Sequence, residues 1–197
     1  MSDDPNQKAL ELFLKEWDGE NPRISTLDAA LRDARTTMSG GQARWLATLA
    51  YLVALEVVGS SVAKPSTKFP DRGNHKGKLM AGALEFSPDD SEDEIGEVLY
   101  YARCALAHDY GLQMNRYVFI FTASGPMITP AAVPWDRTLD GAKKSSMNTV
   151  LNIKAIGEYV EDIVATVRRE FAAGGVVPAP RADIEAMQLF GGFYFRT

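Results

Sequence analysis

The stretch SEDEIGEVLYYARCALAHDYG, residues 91–111, decides how this chain is read. Ser91 followed three residues later by Glu94 is the pattern in which each end of a helix's first turn is capped by the other's side chain. Asp90, Glu92, Asp93 and Glu94 crowd the same turn, where carboxylates face the positive end of a helix dipole. Ile95, Val98, Leu99, Ala102 and Leu106 then recur at helical spacing, and Gly111 supplies a stop. The segment predicts a helix with one buried stripe that ends beside Arg103, His108 and Tyr110.

Other helices follow outward from it. Residues 155–171 carry a strong amphipathic period, closed by Gly174, Gly175, Pro178 and Pro180. The run from Trp45 to Val58 is apolar except for Thr48 and Glu56, so the helix predicted from Gln42 to about Ser60 belongs in the middle of the structure. It falls short of the roughly 20 residues that span a bilayer. Ala9–Trp17 and a Ser25-capped helix reaching about Thr37 complete a bundle. Residues 62–86 contain Pro65, Pro70, Gly73, Gly77 and Gly82 without a sustained period and read as a long loop. Tyr117–Thr122 is dense in aromatic and β-branched residues, and Ser124-Gly125-Pro126 turns it back toward Met127–Val133, which predicts a small antiparallel hairpin. Thr149–Ile153 is a candidate third strand. The expected fold is mainly α, a helical bundle with a small antiparallel β-hairpin inserted after the 91–111 helix.

A chain of 197 residues, 46% apolar and 24% charged, suits one core, so residues 1–197 are read as a single domain. Residues 1–8 are expected to be flexible. The tail 181–197 holds Ile184, Met187, Leu189, Phe190, Phe193, Tyr194 and Phe195, too apolar to hang free, and is expected to pack on the domain or on a partner. No apolar segment stands behind a basic start, which gives the expectation of a cytoplasmic protein with no membrane partner. A single cysteine, Cys104, excludes an internal disulfide and a cysteine-rich metal site. The net charge of −5 gives no overall basic footprint for nucleic acid, so any RNA contact must be local. One local cluster exists: Lys64, Lys68, Arg72, His75, Lys76 and Lys78 share a segment whose only acid is Asp71. Its simplest alternative is an exposed polar loop.

Arg103 and His108, five apart, diverge by about 140° round an ideal helix. Arg103 and Tyr110, seven apart, return to nearly the same face. One helix is thus a poor pocket, whereas two such ends meeting across a two-fold axis place two arginines and two histidines round one cleft. Arg103-Cys104-Ala105-Leu106-Ala107-His108 resembles the R-x4-6-H signature of the HEPN superfamily of helical-bundle proteins, and with Tyr110 it resembles the R-x4-H-x-Y form of HEPN toxins from toxin-antitoxin pairs. The resemblance covers the motif and the helices around it, roughly Gln42 to Gly111 plus the 155–171 helix.

What the resemblance implies is a metal-independent endoribonuclease acting as a homodimer, of a toxin or anti-phage defence kind, with Arg103 and His108 as the catalytic pair. RNA is then the substrate, an antitoxin or other regulatory protein the partner, and no cofactor or metal is needed. Tyr110 stands where the toxin subfamily is silenced by nucleotidylation, and Cys104 and Asp109 would line the site. The residue types suit the chemistry: histidine exchanges protons near neutral pH, and arginine is a permanent, bidentate phosphate donor. Lys64, Lys68, Arg72, His75, Lys76 and Lys78 are the candidate RNA contacts. Several alternatives stay open. Arg103 could pair with Asp109 or Glu97 while His108 caps the helix end. Cys104 and His108 could form a thiolate–imidazole pair, or His75 and His108 could hold a metal. The strongest rival is a non-catalytic HEPN-type module that binds nucleotide, RNA or a protein.

Overall fold

Four polar side chains fix where helices begin. Ser25 accepts the amide of Asp28 at 3.1 Å, as expected of the residue that opens the second helix. Asp4, Asn74 and Asn152 do the same for the amides of Asn6, Gly77 and Lys154. The computed structural model describes residues 4–17, 23–40, 44–66, 72–87, 93–108, 113–179 and 193–194. Among these the helices are α1 (Pro5–Leu14), α2 (Thr26–Ser39), α3 (Arg44–Ser61), α4 (His75–Leu84), α5 (Asp93–His108), α6 (Leu139–Ala142) and α7 (Ile153–Ala172). The short strands are β1 (Arg23–Ile24), β2 (Val62–Ala63), β3 (Gln113–Met114), β4 (Tyr117–Thr122), β5 (Ile128–Thr129), β6 (Asn148–Asn152), β7 (Val177–Pro178) and β8 (Phe193–Tyr194). The protein is mainly helical, with small sheets. No described helix is long and apolar enough to cross a membrane.

The apolar run of α3 is the centre of the molecule: Leu52, Leu55 and Val58 are fully buried in a core shared with α1, α2, α4, α5, α7, β4 and β6. Helix α4 corrects the reading of 62–86 as a loop. Its Gly77 and Gly82 break the apolar period, but Gly82 does so because two backbones meet there. A Cβ on Gly59 of α3 would lie 3.0 Å from the Gly82 Cα and closer still to the Lys78 carbonyl and the Gly82 amide. Leu55 faces Gly82 and Gly59 faces Lys78, so α3 and α4 run in opposite directions. Glycine is the only residue that permits such an approach.

The expected hairpin is corrected too. The strand β4 does form, and Gly125 with φ of 93° does turn the chain, but β6 lies between β4 and β5. The sheet order is β3-β4-β6-β5, with β4 parallel to β6 in the register Phe119–Thr149 and β5 antiparallel to β6. The physical reason is Asn152: its side chain donates to the Gly125 carbonyl at 2.6 Å and also caps α7. That one residue ties the turn to the strand that enters the long helix. At the far end of α7, Gly174 takes φ of 74° and closes the helix with its amide on Phe171.

Two small sheets close the chain on itself. Val62–Ala63 pairs with Val177–Pro178, and Arg23–Ile24 pairs with Phe193–Tyr194. The rest of 181–197 lies outside the described residues, as do residues 1–3 and the expected cap at Ser91.

Candidate functional site

The α3–α4 crossing delivers His75, the first residue of α4, to the side of Glu56 on α3, and α5 presents Arg103 to the same carboxylate. His75 Nδ1 meets Glu56 Oε1, and Arg103 Nε stands 3.1 Å from Glu56 Oε2. The second contact is a close ion pair that is off the axis of a hydrogen bond, since neither Glu56 Oε2 nor Arg103 Nε has an aligned partner. Burial keeps the pair strong: the side chains are 12% and 17% exposed, and charges so placed are screened far less than surface ones. His75 differs, with 66% of its side chain open to solvent. Its contact with the carboxylate is through Nδ1, which leaves Nε2 as the ring nitrogen without that partner.

Glu56 was visible in the sequence only as an interruption of the Trp45–Val58 run. That interruption was itself a signal, because a lone carboxylate inside an apolar helix must find a cation or lose stability. Glu97, one of the two acids expected beside Arg103, does not take that place. Glu97 instead joins Lys76 at 3.2 Å and Arg116 at 3.4 Å, and Asp109 lies outside the described residues.

His108 is exposed at the last position of α5. Both motif residues are therefore helical, and on one helix their side chains leave in directions about 140° apart. Cys104 is buried, and its thiol beside Tyr100, together with burial, raises the Tyr100 hydroxyl above its ordinary range. The thiol thus faces the interior and the imidazole faces water. Tyr110, like Asp109, lies outside the described residues.

Among the described residues of the basic cluster, Arg72, Lys64, His75 and Lys76 each meet an acid. Arg72 is buried, donates to the carbonyls of Gly59 and Val62 at 2.5 and 2.6 Å, and pairs with Glu85. It pins the end of α3 to the end of α4 and has no surface left for an RNA phosphate. Burial pushes the Glu85 carboxyl up, while the Lys64 amide and Arg72 draw it down. The Lys64 ammonium joins Glu170 at 3.3 Å, and Lys76 lies over the Tyr101 ring as well as beside Glu97. Lys78 is half-buried on α4 next to the α3 crossing, and Lys68 lies outside the described residues.

Next to Lys76 an aromatic row runs from Tyr100 through Tyr101 and Tyr117 to Phe119, with ring centroids 5.2, 5.4 and 5.5 Å apart. Arg116 lies over Tyr117. Away from it, Arg35, Arg44, Tyr51 and Lys154 line a cavity of about 410 Å³. Glu161 holds Arg35 there through two bonds of 2.7 and 2.5 Å and accepts the Tyr51 hydroxyl at 3.2 Å. Burial, reinforced by that carboxylate, pushes the Tyr51 hydroxyl up to about 12. Among the described residues no group of three or more His, Cys, Asp and Glu side chains is arranged to hold a metal ion.

No family model, curated protein or solved structure matches the chain. The reading of function rests on the residues themselves.

Proposed function

We propose that the protein is a cytoplasmic, metal-independent endoribonuclease of HEPN type, a helical bundle that works as a homodimer with Arg103 and His108 of both copies lining one cleft. The observation that carries the reading is the state of Arg103. Glu56 holds the guanidinium on its Nε side, and its terminal nitrogens have no other partner among the described residues. A planar cation anchored in this way offers its remaining edge to the two oxygens of a phosphodiester. His108, exposed at the end of the same helix, is free to exchange a proton with solvent or substrate.

Cleavage then proceeds by attack of the RNA 2′-oxygen on its own phosphorus, with Arg103 neutralising the charge that builds on the phosphoryl oxygens. The products are a 2′,3′-cyclic phosphate and a 5′-hydroxyl. One copy of α5 separates the two side chains, so a second copy has to bring the missing partner. An antitoxin or other regulatory protein is the expected controller, and Tyr110 the expected point of control.

The test is incubation of the wild type, Arg103→Ala and His108→Ala with total RNA in EDTA. Cleavage by the first alone supports the reading, and equal cleavage by all three overturns it. The second reading is a non-catalytic HEPN-type module that binds nucleotide. The cavity lined by Arg35, Arg44, Tyr51 and Lys154 favours it, since about 410 Å³ is within the usual range of small-molecule sites. Its mark is nucleotide binding without RNA cleavage.

A further inference from the structure

Arg103 has a histidine within its own subunit, and it is not the histidine of the R-x4-H spacing. His75 and Arg103 address the two oxygens of one carboxylate, which places His75 Nδ1 and Arg103 Nε no more than about 8 Å apart at ordinary contact lengths. We propose that His75 is the general base of the cleavage site, oriented by Glu56, while His108 is the general acid. This deepens the ribonuclease reading and rests on it.

Glu56 meets His75 at Nδ1, so the ring is held at one end and Nε2 is the nitrogen left for a substrate on a side chain 66% open to solvent, while Arg103 stands on the other oxygen of the same carboxylate. A proton acceptor beside a phosphate clamp is what attack by a 2′-hydroxyl needs. Burial of Glu56, at 9% residue exposure, makes the orientation stiff. The charged groups that face His75 are Glu56 from α3 and Arg103 from α5. On its own helix Lys76 is drawn off by Glu97, and Lys78 stands one turn on. Glu56 touches no substrate and is a positioning residue.

The step balances without any further reactant. The 2′-hydroxyl proton passes to His75 Nε2 as the 2′-oxygen bonds to phosphorus. The bond from phosphorus to the 5′-oxygen breaks, its electron pair stays on that oxygen, and His108 supplies the proton that completes the 5′-hydroxyl. The base must start neutral and the acid must start protonated, so the rate has two limbs in pH.

The variant that isolates His75 is His75→Asn, because the asparagine amide still donates toward Glu56 but carries no base. Cleavage of a short oligoribonucleotide in EDTA is followed from about pH 5 to about pH 9 for the wild type, His75→Asn and His108→Ala. It is repeated on a substrate whose 5′-bridging oxygen is sulfur, a leaving group that needs no proton. The expected result is a bell-shaped wild-type profile and a loss of about 10²- to 10⁴-fold in His75→Asn together with its acid limb. The sulfur substrate is expected to restore His108→Ala and not His75→Asn. A merely structural His75 would lower the rate equally at every pH. The proposal is overturned by wild-type rates in His75→Asn, by an acid limb that survives in it, or by its rescue with sulfur. A wild type that cuts nothing in EDTA removes the ribonuclease reading and this proposal together, whereas the other outcomes leave that reading standing.

Discussion

Alanine at position 59 sets two effects of opposite sign against each other, and the structure decides which wins. Within a helix, alanine is favoured over glycine by about 0.8–1.0 kcal/mol. The new methyl, however, would lie 3.0 Å from the Gly82 Cα and inside contact distance of the Lys78 carbonyl and the Gly82 amide. All three are backbone atoms of α4, so no side-chain rotation relieves the clash and the two helices must separate. Overpacking of this kind typically costs about 1–3 kcal/mol and sometimes more, and rigid neighbours place it at the upper end. The net expectation for Gly59→Ala is a loss of about 2 kcal/mol. With a urea slope near 2 kcal/mol per molar, the unfolding midpoint should fall by about 1 M. Gly40→Ala is the control: its φ of −69° is ordinary, the nearest atoms to an added Cβ are at 3.6 Å, and it should gain about 0.5 kcal/mol. A midpoint for Gly59→Ala that stays put or rises would refute the close α3–α4 crossing, and with it the placement of His75 beside Glu56.

Two further substitutions probe other parts of the account. Arg72→Met leaves Glu85 buried without its cation and should cost about 3–5 kcal/mol in urea unfolding, while RNA affinity of the folded protein stays unchanged. Lost RNA affinity at unaltered stability would mean that Arg72 is a surface contact after all. Tyr51 is pushed up to about 12 by burial, so its contribution is fully present below the ordinary tyrosine value and is lost as pH rises toward the folded one. Urea midpoints of the wild type should therefore fall between about pH 10 and about pH 12 more steeply than those of Tyr51→Phe. Parallel curves would contradict it.

Helices α2, α3, α5 and α7 were legible because each carries its own local signal: the Ser25 cap, an apolar run, and two strong apolar stripes ended by polar or glycine-rich segments. Helix α4 was not, since the feature that makes it fit, Gly82 against Gly59, reads in sequence as a breaker. Asn74 was the overlooked start signal. The strand order was beyond local reading for a different reason. Val118 and Asn148 pair across a long excursion, and the turn at Gly125 suggests a simpler hairpin. At the site, the spacing of Arg103 and His108 was plain, but the meeting of Glu56, His75 and Arg103 draws one residue from each of three helices. Only a contact between separate helices brings those together, and no periodicity records it.

The account stands most directly on how RNA is cut. A synthetic oligoribonucleotide is treated with the purified protein in EDTA, and the new termini are identified by mass spectrometry. Fragments ending in a 2′,3′-cyclic phosphate, paired with fragments that begin in a 5′-hydroxyl, are the predicted outcome. Intact RNA, or termini bearing a 5′-phosphate, would contradict it.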